Sequence, residues 1–207
     1  MPNDKAVVKI TPSDEICQTI RNSADQYKLA LPPHVPVDRF VRVAMTAIRQ
    51  NVDLAFCERP SLYSALLRCA QDGLLPDGRE AAIVPWGKSA RYMPMIAGVT
   101  KKARNSGEIL SMDACVVYEN DEYDAWADEK GPHFRHKKAR LNRGKPILTY
   151  AYALTRDGGF FFEEITDEEM ARIEGQSKAK DSPWKGPFRD EMKRKSALRR
   201  LAKYRLP

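Results

Sequence analysis

The 207-residue sequence contains no run approaching the roughly 18 apolar residues that a membrane span requires. Its first residues, MPNDKAVVKI, lack the apolar stretch of a secretory signal. The chain therefore reads as soluble and intracellular, with no membrane partner. Four cysteines, Cys17, Cys57, Cys69 and Cys115, form no CxxC pair, which argues against a zinc knuckle and against a disulfide framework. Neither Gly87-Lys88 nor Gly144-Lys145 has a glycine five positions before its own glycine, so no phosphate cradle of the P-loop type exists and ATP hydrolysis is excluded as a function. Gly-x-Ser-x-Gly, His-Glu-x-x-His and catalytic-cysteine signatures are missing too. No repeat of fixed period and no low-complexity tract interrupts the sequence. The chemistry left is binding, with no nucleotide, metal or other cofactor required.

What is present is a core and a concentrated charge. Hydrophobic residues make up 43% of the chain, enough for a folded domain. The net charge is +7, but from Lys178 onward eleven Lys or Arg stand against three acids, Asp181, Asp190 and Glu191. The excess is at the end of the chain, and it calls for a polyanionic partner.

Periodicity divides the chain. After a loose arm over residues 1–12, Ser13 is a candidate cap for a helix bearing Ile16, Ile20, Ala24, Tyr27 and Leu31. Pro32, Pro33 and Pro36 end it. A second helix is expected from Val37 to about Gln50, and a third after Ser61, stopping at Gly73 in a left-handed C-cap. From Glu80 the runs EAAIVPW, RYMPMIA, MDACVVYE and ILTYAYALTR read as strands, with Asp157-Gly158-Gly159 as a hairpin turn. One short helix, Gly98 to Asn105, interrupts them. Thr166 and Glu169 form a capping box for another helix, and a basic helix follows the connector GQSKAKDSP. The expected fold class is α+β: N-terminal helices, a central mostly antiparallel sheet with hairpins and a short helix, and a C-terminal basic helix. Residues 1–36 are expected to form an arm and helix, a candidate subunit contact, and residues 37–207 a single core domain.

Two clusters invite metal chemistry. His133 and His136 lie three apart in a stretch read as a basic loop without cysteines, where solvated histidines are expected. Glu119, Asp121, Glu122, Asp124, Asp128 and Glu129 have the oxygen ligands of a Mg2+-dependent nuclease. The competing reading is electrostatic pairing with Arg135, Lys137, Lys138, Arg140, Arg143 and Lys145, and it is preferred.

On the terminal helix, a turn of 100° per residue gathers Arg189, Lys193, Arg200 and Lys203 into one basic face. Phe188, Leu198 and Ala202 form an apolar stripe, with Lys195 among them. Binders of single strands add aromatic platforms to such charge. The candidates are Trp86 and Tyr92 beside Lys88 and Arg91, Phe134, and Trp184 beside Lys185, against the alternative that large rings are core.

The order of RFVRVAMTAIRQN, SLYSALLRCAQDGLLPDGREAAIVPW, MIAGVTKKARNSGEILSMDACVVYENDEY, TYAYALTRDGG and QSKAKDSPWKGPFRDEMKRKSALRRLAKYRLP resembles the RecT family of phage-type single-strand annealing proteins, colinearly from about Val37 to Pro207. The resemblance implies ATP-independent annealing of complementary DNA by a homo-oligomer, a ring or helical filament, whose groove holds single strands and the annealed duplex. It implies a partner exonuclease, and host single-strand binding protein met through a tail beyond the equivalent of Pro207. It places the work in the cytoplasm of a bacterial host, with Mg2+ acting only through the DNA. The matching basic residues are Lys101, Lys102 and Arg104 in the short helix, and Lys193, Lys195, Arg199, Arg200 and Lys203 in the terminal one. Asn105 stands where the family often carries a further base.

Overall fold

The structure is a computed structural model that describes residues 11–177 and 182–206. The expected N-terminal arm up to residue 10, and Lys178, Lys180 and Asp181 of the connector, lie outside the described residues. The fold is α+β. Two compact units divide the chain, Met1–Gly98 and Val99–Pro207, so the division falls inside the span expected to be one core.

In the first unit, α1 (Pro12–Asn22) is capped by Thr11 and not by Ser13: Asp14 N–H donates to the Thr11 hydroxyl at 3.2 Å, and the Asp14 carboxylate reciprocates. Pro12 suits the first helical position, where its missing N–H is no loss. Ser23 leaves helical geometry (φ −93°, ψ 15°), which splits the expected single helix and starts α2 (Ala24–Ala30). Helix α3 (Val37–Gln50) has the expected limits. A 3-10 turn (Val52–Phe56) leads to α4 (Arg59–Gln71), which begins before Ser61 because Pro60 is accommodated in the first turn. Gly73, at φ 65°, ends α4 as expected: its N–H reaches Ala70 O and Leu74 N–H reaches Cys69 O, the paired bonds of a Schellman cap. Strands β1 (Ala81–Trp86) and β2 (Ser89–Pro94) form an antiparallel hairpin. Ile16, Ile20, Phe40, Ile48, Leu62, Leu66 and Leu74, all fully buried, fill the core beneath it. The apolar stripe of α1 is thus used inside the unit.

Helix α5 (Ile96–Asn105) follows. A Cβ on Gly98 would overlap the Glu80 carbonyl oxygen and come within 2.7 Å of Leu74 Cδ1, so only glycine permits this approach.

In the second unit, β3 (Ile109–Tyr118), β6 (Pro146–Thr155) and β7 (Phe160–Thr166) form an antiparallel sheet in the order β3-β6-β7. The β6–β7 turn is the expected one, with Gly158 at φ 89°. One face presents Ala114, Ala151, Ala153 and Ile165 to α6 (Asp167–Gly175) and α7 (Arg189–Tyr204), which complete this core with Met170, Ala197 and Leu201. The Thr166–Glu169 capping box opens α6 as expected.

The histidine segment is not the expected loop, and the acidic run beside it is extended as well. They are strands β4 (Glu122–Asp128) and β5 (Gly131–Lys137) of a second hairpin. Strict alternation explains what composition hid: Glu122, Asp124 and Trp126 face Lys137, Arg135 and His133 on one side, while Tyr123, Ala125 and Phe134 occupy the other. Phe134 packs on the sheet, its ring centroid 4.8 Å from Tyr150 and 5.2 Å from Phe162.

A buried carboxylate pins this hairpin. Asp121 accepts from Arg143 Nε at 3.0 Å, Ala139 N–H at 2.9 Å and Tyr118 N–H at 3.0 Å, and it bonds His136 Nε2 at 3.0 Å. The other ring nitrogen of His136 meets the Tyr150 hydroxyl at 3.0 Å. These partners, Arg143 foremost, hold the Asp121 carboxyl well below the usual carboxylate range despite its burial.

Two stability predictions follow from these contacts. Gly98→Ala should destabilise the protein by about 3 kcal/mol and lower its Tm in calorimetry by roughly 5–10 °C; an unchanged Tm would refute the close approach of α5 to Glu80. Asp121→Asn should cost about 3 kcal/mol near neutral pH, because a buried partner is lost. Since the Asp121 pKa is depressed by folding, its contribution is complete above the unfolded carboxylate value of about 4 and is lost as pH falls below it. Denaturation from pH 7 to pH 2.5 should therefore show the gap between wild type and variant narrowing only below about pH 4, and a gap independent of pH would contradict the assignment.

Candidate nucleic-acid interface

Helix α7 carries most of the candidate contacts, and the structure sorts them by direction. Lys193, Ala197 and Leu201, four residues apart, form the buried row. The expected apolar stripe is therefore misplaced around the helix: Phe188 is 64% exposed and Leu198 only partly buried. The expected basic face is mostly a docking face. Arg189 pairs with Glu174 at 2.7 Å, Lys193 with Asp167, and Arg200 with Glu163 at 2.9 Å and Glu169 at 3.6 Å. Arg205 shares Glu163 at 3.0 Å. Lys193, with no exposed surface, is removed from the set of phosphate contacts, and Arg200 is committed to acids of its own unit. The sequence signal for this was available in the acids of EEITDEEMARIE, four of which, Glu163, Asp167, Glu169 and Glu174, receive these bases.

Arg194 turns to β3, donating to Ala114 O at 2.9 Å and pairing with Asp113 at 3.3 Å. Arg143 donates to Val116 O at 3.2 Å, two residues further along the same strand. Both arginines cap carbonyls of an edge strand.

On the opposite side of α7, roughly 160° around the helix from the buried row, run Lys195, Arg199 and Lys203, the first two half-buried and the Arg199 Nε fully covered. Lys203 is exposed, and its ammonium lies 4.8 Å from the Tyr204 ring centroid. Partial burial, and then the charge of Arg199, pull the Lys195 ammonium below the usual lysine range. On α5, Lys102 and Arg104 are exposed and Lys101 half-buried. Ala103 between them packs on the same core cluster as Leu198 of α7. These two helices of the second unit therefore carry six of the expected bases around one cluster. Lys185 is exposed beside Trp184, but Trp184 is only 5% exposed and belongs to that cluster. It is a core ring, not a stacking platform, because its faces are already packed.

In the first unit, Lys88 occupies the exposed turn between β1 and β2. Arg91 lies with its guanidinium 4.7 Å from the Trp86 ring centroid, and Trp86 is 60% exposed. Tyr92 points to the other side of β2 and donates its hydroxyl to Asp72 at 2.6 Å; burial, and then this bond, push its pKa upward. Of the two rings expected as platforms here, Trp86 presents itself and Tyr92 is tied into the unit. Arg68 of α4, exposed and not anticipated from the sequence, lies along a cleft with Arg91 and Tyr92.

The acids of residues 119–129 face bases: Glu122 pairs with Lys137 at 2.7 Å, Asp128 with His133 at 2.9 Å, and Asp121 with Arg143. Among the described residues no group of three or more His, Cys, Asp or Glu side chains converges as a metal site. Nor is any described helix long and apolar enough to cross a membrane.

The model of the RecT family matches residues 38–207. Protein RecT of Escherichia coli (strain K12) is 34% identical over 194 residues, covering 87% of this chain and 70% of that protein. With a family match over most of its length and a relative this similar, the chain belongs to the RecT family of phage-type recombination and annealing proteins.

Proposed function

We propose that the protein anneals complementary single strands of DNA without ATP, holding the strands and the nascent duplex by their phosphates as a ring or helical filament of identical subunits. The reading is supported most directly by the sorting of charge on α7, where Arg189, Lys193 and Arg200 face acids while Lys195, Arg199 and Lys203 form a separate row on the opposite side, exposed at Lys203. Lys101, Lys102 and Arg104 of α5 extend the cationic set, and Lys88, Arg91 and Lys185 add to it elsewhere. Annealing draws its free energy from base pairing, so the protein need only neutralise phosphates and leave bases free, which requires no acid–base pair and no bound nucleotide. Mg2+ would act through the DNA. In the cell, the bacterial cytoplasm, an exonuclease would supply the single strands and host single-strand binding protein would be met on them. The first two helices remain the proposed contact with a neighbouring subunit, through surfaces other than their buried stripe. The competing reading is a coating module that binds single strands and does not pair them.

Mixing two fluorescently labelled complementary oligonucleotides with the protein, without ATP, tests this reading. Pairing should accelerate, and the acceleration should fade as salt rises; bound strands that pair more slowly would favour the coating module. Replacing Lys195 and Lys203 together by Ala should weaken binding uniformly across sequences and flatten the plot of log affinity against log salt by about 0.7 per lost contact. Lys193→Ala should instead lower thermal stability, by roughly 3 kcal/mol, since it strands Asp167 and opens a cavity. Equal losses of stability in all these variants would contradict the separation of the two rows.

A further inference from the structure

We infer that the cleft between α4 and the outer edge of β2 is a phosphate subsite for single-stranded DNA, with Trp86 as the shelf on which an adjoining base stacks. The inference rests on the proposed binding of single strands and adds to it residues that neither the helix charge nor the family pattern indicated.

The cleft, of about 400 Å³, lies wholly within the first unit, between Ser61, Ser64 and Arg68 of α4 and Ala90, Arg91 and Tyr92 of β2. Helical spacing makes one face of the three α4 residues. Ser61 is used structurally: its hydroxyl accepts Ala90 N–H at 2.9 Å and donates to Glu58 O at 2.8 Å, joining strand to helix. Ser64 and Arg68 are exposed. Because Ala90 N–H points away from β1, the alternation of an antiparallel ladder turns Tyr92 N–H toward the same edge. A hydroxyl, a guanidinium and a backbone N–H thus border one concavity. These are donors suited to phosphate oxygens, with nothing to read a base edge.

The charge is available for a ligand. Arg143, Arg189, Arg194, Arg200 and Arg205 of the second unit each pair with a carboxylate. Among the described residues, neither Arg68 nor Arg91 does. The nearby acid, Asp72, accepts the Tyr92 hydroxyl. Arg91 links the cleft to the shelf: it borders the cleft and covers one face of the Trp86 ring at 4.7 Å, leaving the opposite face of a 60% exposed indole to a base.

Fluorescence anisotropy of a fluorescein-labelled oligothymidylate, titrated with the full chain over a series of salt concentrations, tests the assignment. Arg68→Ala should weaken binding about tenfold at low salt and reduce the salt slope by about 0.7. Arg68→Lys should keep the slope and lose part of the affinity, since a point charge replaces a fork. Trp86→Ala should weaken binding roughly tenfold with an unchanged slope, because stacking releases no counterions. Arg68 and Trp86 are exposed, so thermal unfolding of the variants should match wild type. If wild type binds and Arg68→Ala binds equally well with the same slope, the cleft is not the subsite while DNA binding stands. The same loss in Arg172→Ala, an exposed base on α6 outside the cleft, would reduce the effect to overall charge and overturn the assignment. If wild type itself fails to bind, the cleft and the broader reading fall together.

Discussion

The second unit depends on a lysine buried without exposed surface and matched by one aspartate, Lys193 with Asp167. An ammonium withdrawn from water costs several kcal/mol unless a counter-charge meets it, so α7 has few rotations open to it. Turning the helix by one residue would bring a different base against the sheet, away from the acids of β7 and α6. Glu163, which serves both Arg200 and Arg205, and Glu174, which serves Arg189, reinforce the same rotation along the helix. The placement of Lys195, Arg199 and Lys203 on the other side of α7 is the consequence. It is decided by a contact on the opposite side of the helix.

The same principle operates at Asp121. A carboxylate with a fully covered side chain gathers Arg143, His136 and two backbone N–H groups, and so holds the β4–β5 hairpin where Phe134 covers Tyr150 and Phe162 of the sheet. Arg143 also stacks 4.0 Å from the Tyr118 ring centroid, and the Tyr118 hydroxyl, bonded to Asp190, is pushed up to about 12 by burial and that bond. Arginines that composition assigns to a polyanion are in these places structural: they satisfy carbonyls of an edge strand and neutralise buried acids.

Local signals in the sequence identified the elements well where one periodicity dominated. The limits of α3, the Gly73 cap, the Thr166–Glu169 box and the β6–β7 turn all follow from residues that act on their own neighbours. The β4–β5 hairpin was missed because its outward face alternates charge with charge, so the two-residue pattern that marks a strand was hidden within what reads as an acidic run followed by a basic one. The orientation of α7 was misread for a related reason: amphipathic reasoning puts lysine outside and phenylalanine inside, while Lys193 is inside with a partner contributed by a residue 26 positions earlier. Trp184 illustrates the limit from the other side, since a ring beside an exposed Lys185 is indistinguishable in sequence from a platform. A partner distant in sequence decides each of these cases.

The count of charges therefore overstates the cationic surface that α7 leaves unpaired with its own acids. Along α7, a cation every four residues recurs at about 6 Å, so under the proposed function the row would offer a strand only a few point contacts. A surface that neutralised every phosphate would bind both strands tightly and resist the sliding and re-registration that correct pairing demands. Under the same proposal, sparse contacts would give each subunit modest, salt-dependent affinity and leave occupancy to the number of subunits engaged on one strand. The acids facing Arg189, Lys193 and Arg200 then do two things at once. They stabilise the fold, and under the proposed function they would keep those three bases from the strand and its grip loose enough for complementary bases to find one another.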